Sequence, residues 1–152
     1  HAIAHSLGGE YNVPHGLANA VILPMILEAY GEKIHKKLAH LAVEAGLADK
    51  ETPCSEVARR FIQAIKDMKK RFDIGDHIPE IRETDIPKLA HYADKEANPL
   101  YPVPVLMNAS ELKPFYRRLM GTPEEASDNI SEDTSEENTA EKGETKHDRT
   151  GN

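Results

Sequence analysis

The stretch HAIAHSLGGEYNVPHGLANAVILP, residues 1–24, determines how the rest of this sequence is interpreted. It places three histidines, His1, His5 and His15, within its first fifteen residues. His1 and His5 are four residues apart, so they share one face if the segment is helical. Imidazole is the commonest metal ligand and the usual proton shuttle near neutral pH. The pattern therefore predicts metal or acid–base chemistry at this point of the chain.

The apolar spacing within this stretch and after it predicts an all-α fold. Residues 1–7 are expected to end a helix, with Gly8 and Gly9 forming its C-cap. The other helices are predicted at about 15–30, 32–45, 52–72, 85–97 and 108–120. The helix at 15–30 is apolar around most of its circumference, which is typical of a central, buried helix.

Local signals at the helix ends support these assignments. Pro14 suits the first turn of the second helix, and Pro24 inside that helix should kink or divide it. Asn108, three residues before Glu111, forms a capping-box pattern for the last helix. N-cap residues are expected at Thr52, Asp85 and Asn108.

The C-terminal segment differs from the rest of the 152-residue chain in composition. Residues 121–152 carry ten acidic and three basic side chains and no aromatic residue, so the formal net charge of −7 resides there. A segment of this kind buries too little apolar surface to offset its chain entropy. We expect a helical domain over residues 1–120 and a disordered acidic tail over residues 121–152.

Composition also excludes some classes of function. Residues 1–120 are balanced in charge, whereas nucleic-acid binding requires a basic face. No apolar run reaches the eighteen residues that a transmembrane helix needs. A single cysteine, Cys54, rules out an internal disulfide framework and indicates the cytoplasm.

Several histidine arrangements must be distinguished. A zinc protease helix requires Glu directly after its first His, but Ala2 occupies that position. A chain that begins with histidine can bind copper through its amino group and ring, which is typical of secreted proteins. The remaining histidines are interpreted as surface or filler residues: His35, His40, His77, His91 and His147.

The pattern His-x3-His-x2-Gly-x6-His-Gly-x3-Ala-x3-Pro over residues 1–24 resembles the signature of the iron-containing (group III) alcohol dehydrogenases. The stretches DIPKLA from Asp85 and ANPLYPVP from Ala97 resemble the C-terminal end of the same family. The resemblance implies that residues 1–120 are an incomplete all-helical, metal-binding C-terminal domain of the dehydroquinate synthase-like/iron alcohol dehydrogenase fold.

By the same resemblance, His1 and His15 correspond to the third and fourth metal ligands of the family. His5 corresponds to the catalytic histidine that faces the reacting centre beside the nicotinamide cofactor. Gly8 and Gly9 correspond to the turn between the two helices. The implied metal is Fe²⁺, with Zn²⁺ as the alternative, and the implied cofactor is NAD or NADP.

The reaction that the resemblance implies is hydride transfer between NAD(P) and a primary or small alcohol, or the matching aldehyde. The metal polarises the alcohol oxygen and lowers its pKa. We expect a cytoplasmic homo-oligomer for the full-length protein.

Two parts of the family pattern are missing from this sequence. The first two metal ligands, an Asp and a His one helical turn later, do not occur before His1, and there is no Gly-rich dinucleotide-binding loop. We therefore expect the chain to be a fragment that is inactive alone, binds metal weakly and exposes apolar surface. The alternative hypothesis is a non-catalytic helical interaction module that retains the scaffold.

Overall fold

The computed structural model describes residues 1–121, and all regular structure within that range is helical. The all-α prediction is therefore confirmed. The predicted tail, apart from Gly121, lies outside the described residues. No helix among them is long and apolar enough to cross a membrane. The six α-helices are α1 (Ala2–Tyr11), α2 (His15–Tyr30), α3 (Glu32–Glu44), α4 (Cys54–Arg71), α5 (Ile86–Ala97) and α6 (Ala109–Met120).

The main hydrophobic core is formed by α1, α2, α5 and α6, together with isoleucines from the connection between α4 and α5. A second apolar cluster lies between α3 and α4. Helix α2 joins the two, because Met25 is buried in the main core while Leu27 and Tyr30 pack on the α3–α4 cluster. The amphipathic spacing of α3 and α4 produces this second cluster, since each helix has one apolar face.

The predicted C-cap at Gly8 and Gly9 is wrong. Helix α1 continues through both glycines to Tyr11, and Asn12 ends it in the left-handed conformation with φ of 57°. The Asn12 N–H donates to the carbonyl oxygen of Gly8 at 3.0 Å. Asparagine tolerates left-handed backbone better than most residues, so the helix can extend beyond the glycines before it ends.

Helix α2 is less buried than predicted, and of the two effects expected at Pro24, division does not occur. It continues through Pro24 as one helix and is not divided there. It is not fully buried either, because Leu17 and Leu23 are 43% and 44% exposed. The residues that it does bury lie on one side and include Val21 and Met25. The described part of the chain therefore covers only part of an almost wholly apolar helix.

The predicted caps have mixed outcomes. Asn108 forms the complete capping box with Glu111, as predicted. The N-cap of α4 is Pro53, one residue after the predicted Thr52. Asp85 is the N-cap of α5, as predicted, but makes no side-chain cap, because its carboxylate accepts hydrogen bonds from the Tyr11 hydroxyl and the Arg82 guanidinium instead.

Tyr116 connects three helices through a single buried hydroxyl group. Its side chain is fully buried in the main core. The hydroxyl oxygen lies 2.6 Å from Ser6 Oγ on α1 and 3.2 Å from the carbonyl oxygen of Leu89 on α5. Burial raises the pKa of Tyr116 to about 12. A hydroxyl group partnered in this way fixes the relative positions of α1, α5 and α6.

Replacing Tyr116 should therefore destabilise the fold in two steps. Tyr116→Phe removes only the hydrogen bonds and should lower the free energy of unfolding by about 1 kcal/mol. Tyr116→Ala adds a cavity and should lower it by about 3–5 kcal/mol. Urea unfolding followed by circular dichroism measures both changes. The control is Tyr92→Phe on α5, where the tyrosine is 53% exposed and little change is expected. Equal stability of Tyr116→Ala and wild type would contradict this role.

The same hydroxyl predicts a loss of stability at alkaline pH. A tyrosine in the unfolded chain titrates near pH 10, whereas the folded-state pKa of Tyr116 is about 12. Between these values the unfolded state loses a proton that the folded state keeps, so stability falls as pH rises. The stability advantage of wild type over Tyr116→Phe should shrink by about 1 kcal/mol from pH 9 to pH 11. A constant difference over this range would contradict the buried, protonated hydroxyl.

Candidate metal centre

The structure brings together the three histidines that the sequence singled out. His1 caps the N-terminus of α1, His5 lies one turn further along, and His15 is the first residue of α2. The ring centroids are 4.9 Å apart for His5 and His15, 5.5 Å for His1 and His15, and 6.3 Å for His1 and His5. All three side chains are exposed. We refer to His1, His5 and His15 as the histidine cluster.

Local folding places these side chains on one surface. Helix α1 buries the face that carries Ile3 and Leu7, so His1 and His5 project from the opposite side. The chain then reverses through Asn12 in the left-handed conformation and Pro14, which is the N-cap of α2. This reversal brings the start of α2 back to the start of α1, and the histidine cluster forms between them.

The donor set of the cluster suits a transition-metal ion. Each histidine offers one ring nitrogen, and these three atoms lie within 4.8 Å of one another. Two nitrogens bound to one ion at about 2.1 Å are at most about 4.2 Å apart, so small ring movements would bring them into range. Imidazole suits both Fe²⁺ and Zn²⁺. The residues present therefore fit the metal that the sequence pattern implies.

His15 has a hydrogen-bond partner on its own helix. The Asn19 side-chain amide donates to His15 Nε2 at 2.9 Å and to the His15 carbonyl oxygen at 3.0 Å. This contact orients the ring. A metal ion bound at Nε2 would replace the Asn19 hydrogen bond, whereas an ion bound at Nδ1 would leave it in place.

Sequence reasoning missed Glu96, which contacts His5 of the cluster, and Tyr101, which contacts Glu96. His5 Nδ1 lies 2.6 Å from Glu96 Oε1 on α5, and the same carboxylate oxygen accepts a hydrogen bond from the Tyr101 hydroxyl. Burial opposes ionisation of Glu96, but the hydrogen bonds from Tyr101 and His5 outweigh it and hold the pKa of Glu96 below its usual value. No local spacing could identify Glu96, because it lies 91 residues from His5.

A small cavity adjoins the cluster. Its volume is about 70 Å³, and its wall includes His1 of the cluster and Tyr101. Most of the other lining residues are apolar, among them Ile26, Val103 and Met107. The cavity therefore places apolar side chains directly beside His1 of the histidine cluster.

The glycines near the cluster leave its surroundings open. A Cβ added at Gly9 or Gly16 would meet no other atom of the described chain within 4 Å, and one at Gly8 would meet only the Val13 carbonyl oxygen at 3.5 Å. Contacts within residues 1–121 therefore do not require glycine at these positions.

Comparison with known proteins identifies the family of this chain. Residues 1–120 match the model of the Fe-containing alcohol dehydrogenase family, C-terminal part. The chain is 32% identical over 120 residues to 1,3-propanediol dehydrogenase of Citrobacter freundii, covering 78% of this chain and 31% of that protein. It is 35% identical over 101 residues to alcohol dehydrogenase 4 of Saccharomyces cerevisiae, covering 64% of this chain and 25% of that protein.

A solved structure shows the same likeness in three dimensions. The crystal structure of a 1,3-propanediol oxidoreductase superimposes with a TM-score of 0.70 at 32% identity, covering 78% of this chain and 31% of that one. The chain thus spans less than a third of the length of the relatives that it matches. The resemblance inferred from residues 1–24 is confirmed, and the chain belongs to the Fe-containing alcohol dehydrogenase family, with residues 1–120 forming its C-terminal helical part.

Proposed function

We propose that this chain is the metal-facing and nicotinamide-facing part of an alcohol dehydrogenase that transfers hydride between a small primary alcohol and NAD or NADP. The observation that carries the proposal is the histidine cluster, which brings the three histidines of the family signature together on one surface. Relatives named as 1,3-propanediol dehydrogenase and lactaldehyde reductase support a small alcohol or aldehyde as substrate.

In this proposal, His1 and His15 hold Fe²⁺ or Zn²⁺ through their rings. When bound, the metal supplies Lewis-acid chemistry that lowers the pKa of an alcohol hydroxyl. Two imidazoles do not complete a tetrahedral set, so further ligands are needed. We assign them to a region of a longer protein, since the chain spans 31% of its relative from Citrobacter freundii.

His5 has a different role from the two ligands. Its Nδ1 is engaged by Glu96, and its exposed ring lies against that of His15. We propose that it contacts the alcohol and the nicotinamide and moves the hydroxyl proton. When bound, a nicotinamide cofactor would supply the hydride acceptor or donor of the redox step.

The surroundings of the cluster support a small substrate and a close cofactor. The adjoining cavity of about 70 Å³ is mostly apolar, which suits the carbon chain of a short alcohol. The open backbone at Gly9 and Gly16 permits close approach of a ligand. We further propose that the full-length protein is cytoplasmic, in line with the single cysteine, Cys54. We also propose that it is a homo-oligomer.

Metal binding by the 152-residue chain tests the role of the imidazoles. His1→Ala and His15→Ala should each weaken Zn²⁺ binding at least about tenfold in a calorimetric titration. His91→Ala on α5, where the histidine is exposed, is the matched control and should leave the affinity unchanged. Adding Gly-Ser before His1 should also have no effect, because the ligand is the ring. If the extension abolishes binding, the ligand is the terminal amine; if all variants bind equally, the cluster is not the site.

Turnover tests whether the 152-residue chain needs further ligands from a longer protein. The 152-residue chain, loaded anaerobically with Fe²⁺, should produce no NADH or NADPH from 1,3-propanediol. A longer protein that includes the coding region upstream of His1 should produce it, and His15→Ala in that protein should lower kcat at least about a hundredfold. Turnover by the short chain would contradict the need for further ligands. No turnover by the longer protein would favour the non-catalytic interaction module.

A further inference from the structure

A hydrogen-bonded chain of three side chains ends at the histidine cluster. The Tyr101 hydroxyl donates to Glu96 Oε1, and the same oxygen lies 2.6 Å from Nδ1 of His5. These residues come from three parts of the fold. His5 is on α1, Glu96 is in the last turn of α5, and Tyr101 lies in the connection between α5 and α6.

The backbone around Glu96 and Tyr101 is held in place. The Tyr101 N–H donates to the carbonyl oxygen of Ala97 at 2.9 Å, which keeps Tyr101 close to the end of α5. The Asn98 side chain donates to Asp94 Oδ1 at 2.7 Å and to the carbonyl oxygen of Met107 at 2.9 Å. Hydrogen bonds therefore hold both the start and the end of the connection after α5, and the carboxylate of Glu96 has a defined position beside α1.

The hydrogen bond to Glu96 determines which ring nitrogen of His5 carries the proton. A neutral imidazole has one donor nitrogen and one acceptor nitrogen, and a carboxylate can only accept. The nitrogen facing Glu96 must therefore be the donor, Nδ1–H. This leaves Nε2 with its lone pair, available to accept a hydrogen bond from another group.

We propose that Glu96 and Tyr101 are positioning residues for His5. Glu96 holds the imidazole as the Nδ1–H tautomer so that Nε2 is the acceptor, and Tyr101 holds the Glu96 carboxylate. The inference rests on the proposed function, in which His5 faces the alcohol and the nicotinamide. It adds two residues that no spacing in residues 1–24 indicates.

Oxidation of an alcohol releases a proton, and the Nδ1–H tautomer of His5 provides an acceptor for it at Nε2. With an oxidised nicotinamide bound, the C–H bond of the alcohol would break, and its hydrogen and electron pair would leave as hydride to that cofactor. The O–H bond also breaks, and its proton passes to the Nε2 lone pair of His5. The resulting imidazolium forms an ion pair with Glu96 through Nδ1–H, and exposure of His5 lets the proton leave to water. In aldehyde reduction the same steps run in reverse.

The tautomer can be measured without any catalytic assay. The metal-free 152-residue chain, labelled with ¹⁵N in its imidazole rings, reports the protonation of each nitrogen through its ¹⁵N shifts at a pH where His5 is neutral. The Nδ1–H form of His5 should exceed the Nε2–H form at least about tenfold, because the acceptor is charged. Glu96→Ala should remove this excess. Tyr101→Phe should retain it with a reduced ratio.

A control and two further comparisons keep this test decisive. Glu80→Ala, which removes an exposed carboxylate, should leave the His5 tautomer ratio unchanged. If Glu96→Ala loses its folded spectrum, Glu96→Gln replaces it, and the neutral acceptor should give a smaller excess of Nδ1–H than the carboxylate. An Nε2–H form in the wild type, or a ratio unaffected by both substitutions at Glu96, would overturn the proposal.

Turnover of the longer protein then separates this inference from the proposed function. Glu96→Ala should lower kcat at least about tenfold while the KM for the nicotinamide cofactor and the Zn²⁺ affinity stay unchanged. Normal kcat in a Glu96→Ala enzyme that has lost the Nδ1–H excess would overturn the positioning role alone. If the wild-type longer protein turns over no alcohol, the proposed function fails, and the catalytic purpose assigned to the His5 tautomer fails with it.

Discussion

The packing of α1 against the main core is the constraint on which the site depends. Ile3 and Leu7 on this ten-residue helix are buried, and His1 and His5 lie on its other side. Because residues four apart share a helix face, burying one face necessarily turns the other outward. The helical repeat that turns the apolar residues of α1 into the core thus also places both histidines together on its exposed side.

Polar contacts set the register of α1 along α5. His5 meets Glu96, Glu10 accepts from Lys88 Nζ at 2.6 Å, and the Tyr11 hydroxyl donates to Asp85 Oδ2 at 2.7 Å. The partners on α5 and at its N-cap, Asp85, descend in number as those on α1 ascend, so the two helices run antiparallel. Exposed pairs of this kind contribute little stability individually, but they select one register among those that the apolar face would allow.

The histidine cluster contains two kinds of imidazole. The His1 ring stacks on the ring of His15, and His15 is oriented by Asn19 on its own helix. His5 is instead bound to a carboxylate from a distant segment. A carboxylate on the far nitrogen of an imidazole fixes both its orientation and its tautomer, which suits a group that must accept a proton at one defined atom.

The sequence by itself determined the all-α class, the capping box at Asn108 and the three histidines, because each rests on residues within one or two helical turns. It did not determine where α1 ends, since the choice between Gly8 and Asn12 depends on the packing of the final turn. Nor could it identify Glu96 or the buried hydroxyl of Tyr116, whose partners lie tens of residues away, or Tyr101, which reaches His5 only through Glu96. Periodicity records which face of a helix is buried, but only the tertiary structure decides which helix covers it and which side chains then meet.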